Sequence, residues 1–328
     1  MAIKNSGSQL KFSEIEQEFG QNNGRSLGRY RNTHPDFKNK NLGELSNLPL
    51  DTGIPTSGQI KFSHFYGKRL NIVVDLYETG NSNYGLNVFT DRFKNGNYQI
   101  VGDYRKTITK SDSEWQGGKK VIIHINKTFG SAGATAESHV AVDMGDIDDN
   151  NANHWPTATT FQIDVGGEGL VGGRGGKGGD AGNEETGGEN GGRGTSGMKI
   201  HSAIQNEITG ESRIFGGGGG GGSGSGAEQN DWGDKNSAGG GGGGGGAGIP
   251  PGADGSAPGS GEAGGTNQAP SANQGGDGGN GGDNAEAEGG RGGNGGDRSE
   301  SGENASGGRS RERGNGSGGE AGERYVFY

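Results

Sequence analysis

From residue 166 to residue 322 the chain is dominated by glycine. Two homopolymer runs, 216–222 and 239–246, lie among GG pairs spaced two to four residues apart. Examples are GGEGLVGGRGGKGGDAG (166–182) and GGDGGNGGDNAEAEGGRGGNGGD (275–297). Ordinary usage is about 7% glycine. Here there are 79 glycines in 328 residues, most of them in this half. Glycine buries no side chain and loses the most entropy on ordering. This half therefore cannot fold around an ordinary apolar core.

Four readings of the glycine field compete. Collagen needs glycine at every third position and abundant proline; the chain has 8 prolines, and its glycines come in pairs and runs. A phosphate-binding loop is poorly matched. In VGGRGGKGG (171–179), Gly178 follows Lys177 where Ser or Thr belongs, and Val171 stands where the first glycine belongs. A flexible linker is the compositional default. The fourth reading is a packed array of polyglycine II helices. These have three residues per turn and no internal hydrogen bonds, so N–H and C=O groups must be satisfied by neighbouring helices. Polar inserts at 183–190, 227–238, 249–274, 284–288 and 298–313 punctuate the field, and it ends in the apolar stretch YVFY (325–328). A linker needs neither, so the array is the favoured expectation.

Only 25% of the residues are apolar, and most precede Phe161. Within 70–165, six segments rich in β-branched and aromatic residues read as strands: 70–78, 84–93, 97–104, 119–130, 138–145 and 159–166. They predict a small β-sandwich-like domain over 70–165. Residues 1–69 are polar and carry a repeat, with SGSQLKFS (6–13) returning as SGQIKFS (57–63). Ser13 or Ser63 could cap a short helix, with Glu16 completing a capping box. A segment this small and polar reads as an anchor that docks on a partner. Its candidate anchoring residues are Leu10, Phe12, Phe19, Ile60, Phe62, Phe65 and Tyr66. The predicted class is thus mainly β and irregular: an anchor at 1–69, a β domain at 70–165 and a glycine-rich domain at 166–328.

The net charge of −10, with both signs mixed along the chain, argues for solubility and against a nucleic-acid partner. There is no cysteine, hence no disulfide and no thiolate site. The first twenty residues lack the apolar stretch of a secretion signal. Release by lysis, within an assembled particle, would remove the need for one. Asp143, Asp146, Asp148 and Asp149 offer hard oxygen ligands but lack the EF-hand spacing. The six histidines show no ligand spacing, although His124 and His139 could face each other across strands. No metal, no cofactor and no enzymatic constellation is expected.

The paired modules of 1–69 resemble short N-terminal modules of phage tail structural proteins. The run FQIDVGGEGLVGGRGGKGGDAG (161–182), followed by GGRGTSGMKIHSAIQNEITGESRIFGGGGGGGSG (191–224), resembles the glycine-rich domain of receptor-recognising adhesins at the tips of T-even-type phage long tail fibres. In that family a strand leads into a GRGG-type arm, and a short pair of strands comparable to 198–215 precedes a polyglycine run. The resemblance implies stacked polyglycine II helices whose variable segments are distal loops contacting a host outer-membrane protein or glycan. The family's attachment domain is not evident in 1–165, where the anchor stands instead. Its loops are often aromatic-rich, whereas the inserts here hold only Trp232.

The expected function is a tail-fibre or tail-tip adhesin. It would be assembled in the host cytoplasm, carried in the virion tail and active outside the cell. Its N-terminus would hold other tail proteins. The candidate receptor residues are Gln229, Asn230, Asp231, Trp232, Asp234 and Lys235, then Asn267, Gln268 and Asn273. Trp232 could equally pack over the glycine surface as a lid. A homotrimer would suit a fibre axis, and a monomer could cap one. The alternative function is a structural virion component, such as a tail, collar or capsid decoration, without receptor contact. A soluble ice-binding protein would need regular Thr or Ala faces, which are not evident.

Overall fold

The computed structural model describes residues 3–19, 26–31, 53–68, 72–76, 86–87, 99–101, 120–131, 139–147, 155, 160–183, 186–201, 208–231, 234–257, 262–264, 268–284, 287–306 and 315–327. The class is mainly β, as expected.

The middle of the chain forms β1 (Ile72–Leu76), β2 (Leu86–Asn87), β3 (Gln99–Val101), β4 (Lys120–Ile125), β5 (Thr128–Gly130), β6 (Val142–Asp143) and β7 (Thr160–Val165). Beyond residue 165 follow β8 (Leu170–Gly172), β9 (Met198–Ile200), β10 (Ile208–Thr209) and β11 (Ile214–Phe215). Two hairpins come next, β12 (Ala227–Asp231) with β13 (Asp234–Ala238), and β14 (Asp283–Asn284) with β15 (Ala287–Glu288). The last strand is β16 (Tyr325–Phe327).

The strands expected before residue 166 are present, but they do not make a sandwich. Three sheets form, in the orders β10-β7-β4-β1-β3, β11-β8-β5 and β16-β9-β6-β2. Every pair in them is parallel except β3 on β1. The chain visits the sheets in a fixed order: β4, β5, β6, then β7, β8, β9, then β10, β11 and finally β16. This is a three-sided coil of parallel strands.

The corners explain why consecutive strands change face instead of folding back. Gly167 has φ +58° and Gly210 has φ +75°, both left-handed turns that favour glycine. Successive corners also stack closely. A Cβ on Gly169 would lie 2.2 Å from the Ile125 carbonyl oxygen, and one on Gly210 would lie 2.1 Å from that of Val165.

Parallel register stacks like on like inside the coil. Ile123, Ile163 and Ile208 align on one face, Phe129, Val171 and Ile214 on the second, and Val142, Met198 and Tyr325 on the third. The first two columns are buried, as are Val142 and Met198, while Tyr325 is partly buried against the same core. Trp155 is fully buried, lies edge-on to Phe161 at 5.2 Å, and donates its indole N–H to the Met144 carbonyl at 2.6 Å.

The repeat in the first 69 residues becomes a small core of its own. Leu10 to Ile15 and Ile60 to Phe65 take the same form. Each passes from an extended pair into a helical turn, α1 (Phe12–Phe19) in the first copy and a 3-10 turn (Phe62–Phe65) in the second. Each turn starts one residue before the serine expected to cap it. Lys11 N–H donates to Glu14 Oε2 at 2.6 Å, and Lys61 N–H donates to His64 Nδ1 at 3.1 Å, so the side chain three positions on does the capping in both. Ile15 and its counterpart Phe65 are both fully buried, with Ile3, Leu10, Tyr30 and Ile54 around them.

The glycine field enters the coil between its second and third faces. Residues 173–197 lead from β8 to β9, and residues 216–324 lead from β11 to β16. The terminal YVF segment therefore supplies the third face of the last turn, pairing with β9.

Candidate functional site

Within the field, the described residues form ten extended arms: 173–182, 188–196, 216–226, 239–249, 250–257, 262–271 in part, 275–282, 289–297, 299–306 and 315–323. They run alternately away from and back to the coil. The backbone bonds between them repeat every third residue. Gly173, Gly176, Gly179 and Gly182 donate to the carbonyls of Phe215, Gly218, Gly221 and Gly224. Gly217, Gly220 and Ser223 donate to those of Thr195, Gly192 and Glu189.

Consecutive residues of arm 216–226 thus face different neighbours. Counting donors and acceptors, it bonds to six other arms: 173–182, 188–196, 239–249, 289–297, 299–306 and 315–323. Arm 239–249 also bonds to six, sharing 173–182 and 289–297 with its companion. These two interior arms are the two homopolymer runs of the sequence. The other eight surround them.

Interior position explains the unbroken glycine. A Cβ on Gly217, Gly218 or Gly219 would lie 1.9, 2.0 or 1.9 Å from a carbonyl oxygen of a different arm, so all three directions are closed. Rim arms have at least one open direction. Several read Gly-Gly-X instead, as at Arg174, Lys177 and Asp180, or Arg291, Asn294 and Asp297, whereas 250–257 and 299–306 carry fewer glycines still.

The array has two unlike ends. Near the coil, Gly173 bonds to Phe215, Gly217 to Thr195, Ile249 to Gly173, and Ser131 of the coil to Ile249. At the far end lie the arm ends 182 and 188, 226 and 239, 257 and 262, 282 and 289, and 306 and 315. Hairpin β12–β13 stands on buried Ala227 and Ala238, which are paired, and it packs against hairpin β14–β15. Below the tip, Lys177 Nζ lies 2.5 Å from Asp180 Oδ2. That contact, with the Ser256 amide donating to the same carboxyl, holds Asp180 below the usual carboxylate range.

The sequence candidates fall at both ends. Gln229, Asn230 and Asp231 lie on β12, with Asp234 and Lys235 on β13; Asn230 pairs with Lys235 and Asp231 with Asp234. These five share the far tip. Trp232 and Asn267 lie outside the described residues. Gln268 and Asn273 are exposed but belong to the turn at the coil end, where Gly248 N–H donates to the Ser271 carbonyl. Gln268 Nε2 donates to the Gly275 carbonyl at 3.0 Å, and its backbone N–H donates to Asp277 Oδ1 at 3.0 Å. Sequence reading did not single out 283–288 as a candidate, although its position between two Gly-Gly-X arms was a usable signal.

Of the anchoring candidates, Leu10 and Phe65 are buried within the N-terminal core, and Phe12, Ile60 and Tyr66 are half-buried against it. Tyr66 donates its hydroxyl proton to the Ser8 carbonyl at 2.6 Å. Phe19 ends α1. Phe62 is 39% exposed, its ring 6.2 Å from that of Phe12.

The acidic run forms local turns. Asp143 Oδ1 accepts from Gly145 N–H and Asp146 Oδ1 from Ile147 N–H; Asp148 and Asp149 lie outside the described residues. His124 is in register with Asp164, 3.9 Å away, rather than with His139. Among the described residues no group of His, Asp or Glu is placed to hold a metal ion.

A coil of parallel strands thus carries a body of extended arms held together by backbone hydrogen bonds. The chain belongs to the phage tail fibre adhesin Gp38 family, whose model matches residues 88–326. The match takes in most of the coil as well as the glycine field. The chain is also similar to the gp37-gp38 adhesin tip complex of the bacteriophage S16 long tail fibre. The identity is 19%, the TM-score 0.38, and the match covers 99% of this chain and 94% of that one. No curated protein matches the chain.

Proposed function

We propose that this tail-fibre adhesin presents its host-binding residues on the connections at the far end of the glycine array, and that the arms are polyglycine II helices. The observation that carries the reading is the polarity of the array. Both of its chain entries and both of its exits join the coil at one end, while the remaining five pairs of arm ends lie at the other. The threefold repeat of hydrogen-bond partners supports the helix assignment. Residues 227–238 are the longest of these connections, with Gln229, Asn230, Asp231, Trp232, Asp234 and Lys235 as the contact candidates.

Gln268 and Asn273 stand at the opposite end and are left out of the host-facing set. The N-terminal core, with Phe62 exposed on it, is the part assigned to hold another tail or virion protein. The host partner is a surface protein or glycan. Short polar connections contribute little to a body held by backbone bonds, so they can change without unfolding it.

Replacing 228–237 with an unrelated sequence of equal length tests this. The purified variant should lose its ability to block phage adsorption to sensitive bacteria while keeping its melting temperature. Undiminished blocking by the variant would refute the assignment. Failure of the unaltered protein to block at all would favour a structural virion component instead.

A further inference from the structure

Polyglycine backbones are alike, so arms of glycine alone could pair in many orders and slip by three residues at the loss only of bonds at their ends. Register is weakly specified wherever side chains do not mark it. On the rim, side chains mark it. Asn294 Oδ1 accepts from Gly278 N–H at 2.8 Å, and Asp297 Oδ1 accepts from Gly275 N–H at 3.0 Å. Asn304 Oδ1 accepts from Gly318 N–H at 2.9 Å, and Asn190 Oδ1 from Ser317 N–H at 2.8 Å. Asp180 Oδ1 accepts from Ser256 N–H at 2.8 Å.

Each acceptor stands on a different arm from the amide it caps. Asn294 and Asp297 are successive X positions of one arm, and they meet Gly278 and Gly275, one turn apart on the next. Some clasps join arms distant in sequence, with 127 residues between Asn190 and Ser317 and 76 between Asp180 and Ser256. Where X is basic it cannot accept. Arg193, between Asn190 and Ser196 in phase, lies 3.7 Å from Glu320 instead.

We propose that the short polar X residues of the rim are positioning residues: they select which arms are neighbours and in what register, and thereby fix the order of the connections on the tip. The chemistry requires a side-chain oxygen one or two bonds beyond Cβ, which Asn, Asp, Ser and Thr supply and Ala does not. The consequence for host binding rests on the reading of the tip given above.

The test uses the full chain, with Asn294→Ala combined with Asp297→Ala, Asp297→Asn alone, and Glu320→Ala as a rim control. Hydrogen exchange at Gly275 and Gly278 should quicken about 5–10-fold in the double variant. Exchange over 216–222 should stay unchanged. Asp297→Asn, which keeps the acceptor, should retain wild-type protection at Gly275, and Glu320→Ala should move neither amide. Adsorption blocking should weaken several-fold in the double variant alone. Unaltered exchange at Gly275 and Gly278, equal loss in Asp297→Asn, or uniform acceleration across the array would overturn the proposal. If the wild-type protein does not block adsorption, the tip reading fails while the exchange data still decide the clasps.

Discussion

Substituting Gly220 tests the interior packing directly. An alanine Cβ there would sit 2.0 Å from the Lys177 carbonyl oxygen. Comfortable carbon–oxygen contact begins near about 3.3 Å. Arm 173–182 would have to withdraw by roughly 1.3 Å, beyond hydrogen-bond reach for its nearest bonds. Those are Gly176 to Gly218 at 2.8 Å, Gly179 to Gly221 at 2.9 Å and Gly192 to Lys177 at 2.7 Å. Three donors left unpaired, two buried and one half-buried, cost about 1 kcal/mol each at the low end. Reduced freedom of the unfolded chain returns about 0.4–1 kcal/mol.

The net loss is about 2–3 kcal/mol, or a fall in melting temperature of roughly 5–10 °C. Gly192→Ala is the matched control, because it approaches the same residue from the rim. Its Cβ would meet Lys177 N at 3.1 Å, a contact that a small shift relieves. It should be near neutral. Thermal unfolding of the two variants side by side is the assay. Melting temperatures within about 1 °C of each other would refute the closed-interior account.

Other outcomes follow from single contacts. The Tyr325 hydroxyl is buried without a hydrogen-bond partner among the described residues, and burial, then the nearby Glu211 charge, pushes its pKa up to about 12. Tyr325→Phe should therefore stabilise the last turn of the coil, by about 1 kcal/mol in denaturant unfolding; a loss of similar size would reveal a missed partner. Burial first, then repulsion from Asp277, raises the Asp254 pKa despite its bond from Gly245 N–H. Its ionisation thus opposes folding once the pH exceeds the raised value. Asp254→Asn should melt higher than wild type at pH 7, and that advantage should fade as the pH drops through the carboxylate range. An advantage that grows on acidification would contradict the sign. Phe65→Ala empties the centre of the N-terminal core at a cost of about 3–5 kcal/mol. Exchange should rise within 3–68 and not in the glycine arms, and coupled loss of the arms would show that the parts are not independent.

Much of this architecture could be read in the sequence, at different depths. The strands before residue 166 were legible from β-branched runs such as VIIHI, yet their parallel coiling was not. Alternation and apolar content are alike in a sandwich and a coil, and what distinguishes them is the corner. Nothing in the sequence sets Gly169 and Gly210 apart from other glycines, yet both lie against carbonyls of the preceding turn.

The two homopolymer runs stood out from composition alone, but not that they are the interior arms. That follows only once six neighbours surround each. The Gly-Gly-X spacing was visible and marks the rim. The low glycine content of 249–274 conceals arm residues and a turn at the coil end, so Gln268 and Asn273 read from sequence as members of a receptor loop. Apolar side chains mark the anchoring candidates in the sequence. Burial of Ile15 and Tyr30 beside Leu10 and Phe65 shows that much of that apolar surface serves the module's own core.

The central claim is that the glycine runs are the closed interior of a body whose rim and tip can vary. Residue-level hydrogen exchange measures it most directly. Protection should be greatest over 217–222 and 241–246, weaker on rim amides bonded only to side chains such as Gly278 and Ser317, and least at the far connections. Fast exchange across both runs, at the rate of free glycine-rich chain, would contradict the account.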